Sequence, residues 1–401
     1  MAKKIVVIGG GAAGCRAALL ATQSGCEVEL WEKEQLGGMC LNFGCIPSKM
    51  LLHDAALHEF RGGVAQDAWA QYRESIAVKT GLLRAGLRAQ LGRAGVVLVE
   101  KEADAGALIG CDAAILAFGR VWAAPAQIAG KRMYDFREVF SMERLPAHLA
   151  VIGGGTAGLA LAQAFAGLGS HVTVYEMQER ILPSFDAESA ERYMHLCAEL
   201  GIDFVLGKKV CPEDLPETDI VFTGAGNRVL SEAQLQWLHS MGVEADARGI
   251  IATKPNIYAI GDCTGKTGTA YEAEAAAERA VSHILALPCA ASATKLHVVC
   301  GKYDLVAVGE MRGLCAAADC SKNGCAFALD AASASAKLYC DQSGTLTGAM
   351  LMLPHASELA GLFCAAIESG MHISKLADAA FFHPSVSTCI REAAVKLHAL
   401  L

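Results

Sequence analysis

Ile5-Val6-Val7-Ile8-Gly9-Gly10-Gly11-Ala12-Ala13-Gly14 is the stretch that decides the fold of this chain. Four aliphatic residues in a row, all β-branched, read as a buried parallel strand. The glycines that follow fit a G-x-G-x-x-G turn, and the alanine-rich residues 12–24 read as a helix that Gly25 ends. Residues 27–31 are then a second strand with Glu32 at its end. Each piece has a physical task. Gly9 permits the tight turn, Gly11 lets backbone approach a pyrophosphate, and Gly14 lets helix and strand pack closely. The helix N-terminus offers free N–H groups to phosphate. Glu32 stands 18 residues past Gly14, where a carboxylate accepts hydrogen bonds from a ribose. Strand, turn, helix, strand and acid together make a dinucleotide-binding unit.

The pattern returns 144 positions later. Residues 149–152 are a strand, Gly153-Gly154-Gly155-Thr156-Ala157-Gly158 is the turn, and 159–168 is the helix, stopped by Gly169. Residues 171–175 form the next strand, and Glu176 ends it, again 18 past Gly158. One nucleotide per unit predicts two dinucleotides, which suits a flavin and a nicotinamide. The other reading is a degenerate second copy that binds nothing. Glu176 favours NAD, because a carboxylate there repels a 2′-phosphate and no arginine stands beside it; Arg180 is four residues on.

The rest of the chain sets bounds. Its 401 residues exceed what one hydrophobic core usually holds, so two or three domains are expected. With 53% hydrophobic and 19% charged residues the chain is globular rather than disordered. A net charge of −8 and the lack of a long basic run argue against nucleic-acid and anionic-membrane partners. No apolar run is long enough to span a membrane. Lys3-Lys4 before residues 5–8 imitates a signal peptide, but glycines follow at once, so these residues are taken as the first strand and the location as cytoplasmic. Most of the 16 cysteines are then expected to be reduced and buried. Cys315, Cys320 and Cys325 recur at intervals of five, which matches no common zinc spacing, so no metal is expected and the segment reads as a cysteine-rich loop and turn.

Between the two units lies Gly37-Gly38-Met39-Cys40-Leu41-Asn42-Phe43-Gly44-Cys45-Ile46-Pro47-Ser48-Lys49. Two cysteines at this spacing can bond if the chain between them is a distorted helical turn. Lys49 falls four residues past Cys45, on the same helical face, where a cation favours thiolate. Spacing alone leaves open a pair of buried structural cysteines.

This segment resembles the C-L-N-x-G-C-I-P-S-K signature of the flavoprotein (pyridine nucleotide) disulfide oxidoreductases, class I. Asp112-Ala113-Ala114-Ile115-Leu116-Ala117-Phe118-Gly119 resembles the segment closing the family's FAD domain, residues 219–226 the strand and glycine turn ending the NAD domain, and Ile257-Tyr258-Ala259-Ile260-Gly261-Asp262 the A-x-G-D motif. The resemblance implies an α/β protein with two Rossmann-like domains and a C-terminal α+β dimerisation domain. FAD would be held by residues 1–146 with 249–290, NAD by 147–248, and the homodimer made by 291–401. It implies that Cys45 faces the flavin and Cys40 the substrate. It also implies that FAD meets Gly9, Gly11, Gly14, Glu32, Lys33, Gly38, Met39, Lys49, Ala117, Gly119, Asp262 and Ala270, and that NAD meets Gly153, Gly155, Gly158, Glu176 and Gly226. Near the end, His383-Pro384-Ser385 resembles the family's His-Pro-Thr/Ser motif, whose histidine reaches the other subunit's thiols as an acid–base group.

NAD preference and the histidine point within the family to the dihydrolipoamide dehydrogenase type, with a small dithiol or disulfide, or a lipoyl-carrier protein, as partner. The alternatives are a reductase of another disulfide and a flavin-binding redox sensor with little turnover. Three departures motivate these: Thr388 where the family has a glutamate that orients the histidine, Met39 for a threonine, and Ala160 for a glutamate. Two β-meanders also look trimmed, between Gly95 and Asp112 and between Lys209 and Asp219. Beyond residue 291, strands are expected over 294–305, 336–339 and 348–353, and helices over 357–370 and 385–400.

Overall fold

The structure, a computed structural model, describes residues 2–61, 65–122, 133–215, 220–223, 227–228, 230–244, 256–265, 268–289, 291–292 and 294–401. Its centre is the predicted repeat. Strand Lys4–Ile8 lies mid-sheet in a parallel five-stranded sheet, in the order Ile257–Ala259, Ala113–Leu116, Lys4–Ile8, Glu27–Trp31, Val97–Val99. A second parallel sheet runs Met133–Tyr134, Ile220–Thr223, His148–Ile152, His171–Tyr175, Ile202–Val205. In both, the strand before the glycine turn is central, so each turn opens at a C-terminal strand edge, where ligands bind in doubly wound sheets. The fifth strand differs in origin. The first sheet takes Ile257–Ala259 from beyond the second unit, whereas the second takes Met133–Tyr134 from before it.

Helix Ala12–Gln23 buries Ala13, Ala17, Ala18 and Ala21. Such small side chains let it lie close to both its sheet and helix Ala270–Leu285, which presents Ala273, Ala277 and Ala280. The 30-residue helix Ala65–Ala94 was not read from the sequence. Its Trp69 is buried against Phe165, with ring centroids 5.7 Å apart, and donates its indole N–H to the Met142 carbonyl.

The C-terminal sheet is antiparallel, ordered Leu296–Val299, Asp304–Gly309, Leu346–Leu353, Ser335–Cys340, Leu314–Asp319. The single strand expected over 294–305 is in fact two paired strands, because Gly301 turns the chain between them. Strand Leu314–Asp319 was missed; its residues, one cysteine and three alanines among them, alternate in burial but lack the β-branched signature. The helix expected over 357–370 is Ala360–Glu368 with a 3₁₀ turn before it, and that over 385–400 is Thr388–His398. Val97–Val99 passes to Ala113–Leu116 through a 3₁₀ turn with no meander between them. None of the described helices is long and apolar enough to cross a membrane.

Candidate active site: a cysteine pair beside a dinucleotide cleft

The first glycine turn opens into a cleft of about 590 Å³. Gly9, Gly11, Glu32, Lys33, Gly38, Met39, Ala117, Gly119 and Asp262 all line it. The fit to FAD is tight where backbone must approach. A Cβ on Gly38 would sit 2.8 Å from the Gly11 Cα, and one on Gly14 would sit 1.8 Å from the Gly9 carbonyl oxygen. A Cβ on Gly11 itself would meet only Gly38, at 3.9 Å, so the room there faces the cleft. Gly14 is therefore a packing residue behind the cleft, not part of its wall. Ala270 starts a 16-residue helix whose N-terminus offers backbone N–H groups. The sequence reading missed Trp31, Lys101, Phe118, Arg120 and Trp237, which also line the cleft. Trp237 meets Phe118 edge-on at 5.4 Å and donates to the Ala103 carbonyl. No local pattern marks it, since it arrives from a helix, Glu232–Ser240, that lies far along the chain.

The two strand-end glutamates behave alike. Glu32 accepts the Gly10 N–H at 2.6 Å and the Glu34 N–H at 2.7 Å. Glu176 accepts the Gly154 N–H at 2.8 Å and the Gln178 N–H at 2.9 Å. Each carboxylate is thus fixed beside its glycine turn before any nucleotide arrives. In the second turn, a Cβ on Gly158 would lie 2.3 Å from the Gly153 carbonyl oxygen, while one on Gly155 would meet nothing within 4 Å. That repeats the close packing and open approach of the first turn. Arg180 donates to the carbonyls of Leu182, Pro183 and Phe185, so its guanidinium is held away from a 2′-phosphate role. Ala160 is buried in the helix of this unit. Gly226 lies outside the described residues.

Cys40 sits on the short helix Gly38–Asn42, and Cys45 is the first residue of helix Cys45–Arg61. Two helical pieces, broken at Phe43 and Gly44, replace the one distorted turn that the spacing suggested. Asn42 pins the first piece by donating to the carbonyls of Leu36 at 3.1 Å and Gly38 at 2.8 Å, and Arg84 donates to its side-chain oxygen. The second piece packs against helix Thr156–Gly167 of the other unit, with Gly167 against Ala55. The pair therefore stands where both nucleotide units meet.

The two thiols are free and hydrogen-bond to each other. That bond, the Cys45 backbone N–H and the Lys49 cation push Cys45 down to about 7, against opposing desolvation and the Asp262 carboxylate. Cys40, the donor, is pushed up, chiefly by the same bond and then by burial. The arrangement makes one nucleophilic thiolate and one protonated partner near neutral pH.

His383 is exposed, as is Phe382 beside it, and no hydrogen bond to its ring is formed by the described residues. Within one chain, no contact among the described residues brings it to the cysteines. Thr388 does not orient it. The Thr388 hydroxyl donates to the Ser385 carbonyl at 2.9 Å and accepts from the Asn323 amide at 2.8 Å.

Residues 3–277 match the family described as pyridine nucleotide-disulphide oxidoreductase, and residues 313–394 match its dimerisation domain. The chain belongs to this family. Pyridine nucleotide-disulphide oxidoreductases of this kind use FAD and NAD(H), and the dimerisation domain supports a homodimer. Similar relatives include dihydrolipoyl dehydrogenase 3 of Pseudomonas putida, 29% identical over 98% of this chain and 97% of its own. Dihydrolipoyl dehydrogenase of Staphylococcus aureus is 30% identical over 98% and 96%. The first alignment spans 465 positions against 401 residues here, in keeping with trimmed connections. Among solved structures, LpdA from Mycobacterium tuberculosis superposes with a TM-score of 0.86 at 23% identity, covering 98% of this chain and 99% of its own. The HOCl-induced flavoprotein disulfide reductase RclA from Escherichia coli gives 0.85 at 23%, covering 98% and 99%. Both share the fold.

Proposed function

We propose that this chain passes electrons between NAD(H) and a small dithiol of the dihydrolipoamide type through a Cys40–Cys45 disulfide that opens and closes at each turnover. The observation that carries this reading is the direct contact of the two sulfurs, with Cys45 alone held near neutrality. Bound FAD supplies two-electron transfer between these thiols and the nicotinamide. Gly9, Gly11, Glu32, Lys33, Gly38, Met39, Ala117, Gly119, Asp262 and Ala270 are its proposed cradle, with Gly14 packed behind it. Gly153, Gly155, Gly158, Glu176 and Gly226 are the proposed NAD residues. The proposed domains are 1–146 with 249–290, 147–248, and 291–401, with the edge strand Met133–Tyr134 crossing into the second sheet.

In this reading a substrate thiolate attacks Cys40 Sγ, and Cys45 leaves as a thiolate, the better leaving group of the pair. The second substrate thiol then displaces Cys40, which takes up a proton, and the substrate departs as a disulfide. Lys49 steadies the Cys45 charge. The partner subunit's His383 takes the substrate proton. A reducing, cytoplasmic compartment suits the remaining thiols.

One observation favours a second reading. With the Thr388 hydroxyl engaged elsewhere, none of the described residues hydrogen-bonds the His383 ring, which suits an NADH-dependent reductase of another disulfide, or a redox sensor with little turnover. Steady-state NADH formation from dihydrolipoamide tests the first reading, with His383→Gln expected to slow it at least tenfold. Background turnover by a flavin-loaded dimer would refute it. NADH loss with a panel of small disulfides then separates reductase from sensor.

A further inference from the structure

The cysteines at 315, 320 and 325 play no part in the site above. Their environments differ: Cys315 is exposed, Cys325 half-buried and Cys320 wholly buried just past strand Leu314–Asp319. The neighbour of Cys320 is Cys389, distant in sequence, in the first turn of helix Thr388–His398 and equally buried. The two thiols hydrogen-bond to each other. Cys320 Sγ also lies 3.8 Å from the Val386 carbonyl oxygen. Asn323 clamps the same two segments, donating to the Ser385 carbonyl at 3.0 Å and to the Thr388 hydroxyl at 2.8 Å. Its side-chain oxygen caps helix Gly324–Ala328 by accepting the Ala326 N–H. The sulfurs are therefore held together by contacts on both sides.

We propose that Cys320 and Cys389 form a second dithiol–disulfide site, separate from Cys40–Cys45 and oxidised by hydrogen peroxide. Full burial excludes bulky disulfides and favours a small, uncharged oxidant. Cys320 is the attacking sulfur, because the bond from Cys389 holds it below the ordinary thiol range while Cys389 is pushed up. Cys320 attacks one peroxide oxygen, the O–O bond breaks, and one water leaves a sulfenic acid. Cys389 then attacks that sulfur; the hydroxyl departs with the Cys389 proton as a second water, and the S–S bond forms. Two thiols and one peroxide thus become one disulfide and two waters. The bond ties the start of helix Thr388–His398, just after the His383 loop, to the C-terminal sheet.

The test treats the FAD-loaded full-length protein with hydrogen peroxide, alkylates the remaining thiols after denaturation, and digests with trypsin. Cleavage after Arg312, Lys322, Lys375 and Arg391 places Cys320 in peptide 313–322 and Cys389 in peptide 376–391. The expected result is a cross-link between these peptides that dithiothreitol reverses. It should persist in Cys315→Ser and vanish in Cys389→Ser, or in Cys320→Ala where the first variant does not fold. The proposal is overturned if Cys320 and Cys389 alkylate fully at peroxide exposures that oxidise Cys40, if Cys320 is over-oxidised without a link, or if the link runs through Cys315.

Discussion

Replacing Cys40 by alanine removes the bond that does most to hold Cys45 as a thiolate. In the reduced wild type, Cys45 is pushed down to about 7 from an ordinary 9.0. The thiolate-to-thiol ratio is ten raised to pH minus pKa. At pH 7 about 50% of Cys45 is then thiolate, against about 1% for an unperturbed thiol. Lys49 and the backbone N–H remain in the variant. The midpoint should therefore settle part-way, near ~8, with about 10% thiolate at pH 7. Cys40→Ser keeps an O–H donor and should shift less. A thiolate against oxidised flavin gives a long-wavelength absorbance band, so the assay is its height against pH. We expect a midpoint near ~7 in the two-electron-reduced wild type and a roughly fivefold lower band at pH 7 in Cys40→Ala. A wild-type midpoint near 9, or one that Cys40→Ala leaves in place, refutes the reasoning, as does a band that survives Cys45→Ser.

Three further outcomes are expected. Gly155→Ala should fold and retain flavin, because its Cβ meets nothing, yet raise the KM for NADH by taking the space of the approaching pyrophosphate; an unchanged KM would count against nucleotide binding there. Phe165→Ala should cost ~3–5 kcal/mol in urea denaturation, since the ring is wholly buried against Trp69; a loss under ~1 kcal/mol would mean the site collapses around the gap. Glu176→Ser should lower the NADH-to-NADPH ratio of kcat/KM roughly tenfold, or ~1.4 kcal/mol, by removing the carboxylate that repels a 2′-phosphate; an unaltered ratio would show that Glu176 does not discriminate.

Much of the architecture was legible because it rests on short-range rules. The glycine turns, the alanine-rich helices and the strand-end glutamates each follow from backbone sterics and patterning within about 30 residues. Legibility failed where packing decides. Residues 294–305 are apolar enough to read as one strand, yet the chain reverses at Gly301. There a Cβ would collide with the Gln163 side chain. Helix Ala65–Ala94 has a weak apolar stripe and owes its place to Trp69 and neighbours buried against other elements. Trp237 and Lys101 reach the first cleft from distant segments, and nothing near them in sequence announces it.

The sequence by itself determined two nucleotide units, the cysteine pair between them and the family's signature, because these depend on neighbours along the chain. Only the tertiary structure decided what each thiol is. Two cysteines five positions apart become unequal because one starts a helix beside Lys49 and accepts the other's hydrogen bond. Two more, far apart in sequence, become partners because helix Thr388–His398 packs on strand Leu314–Asp319. Proximity across a fold and the charge around a sulfur are sums over the whole packed chain, so no local pattern carries them.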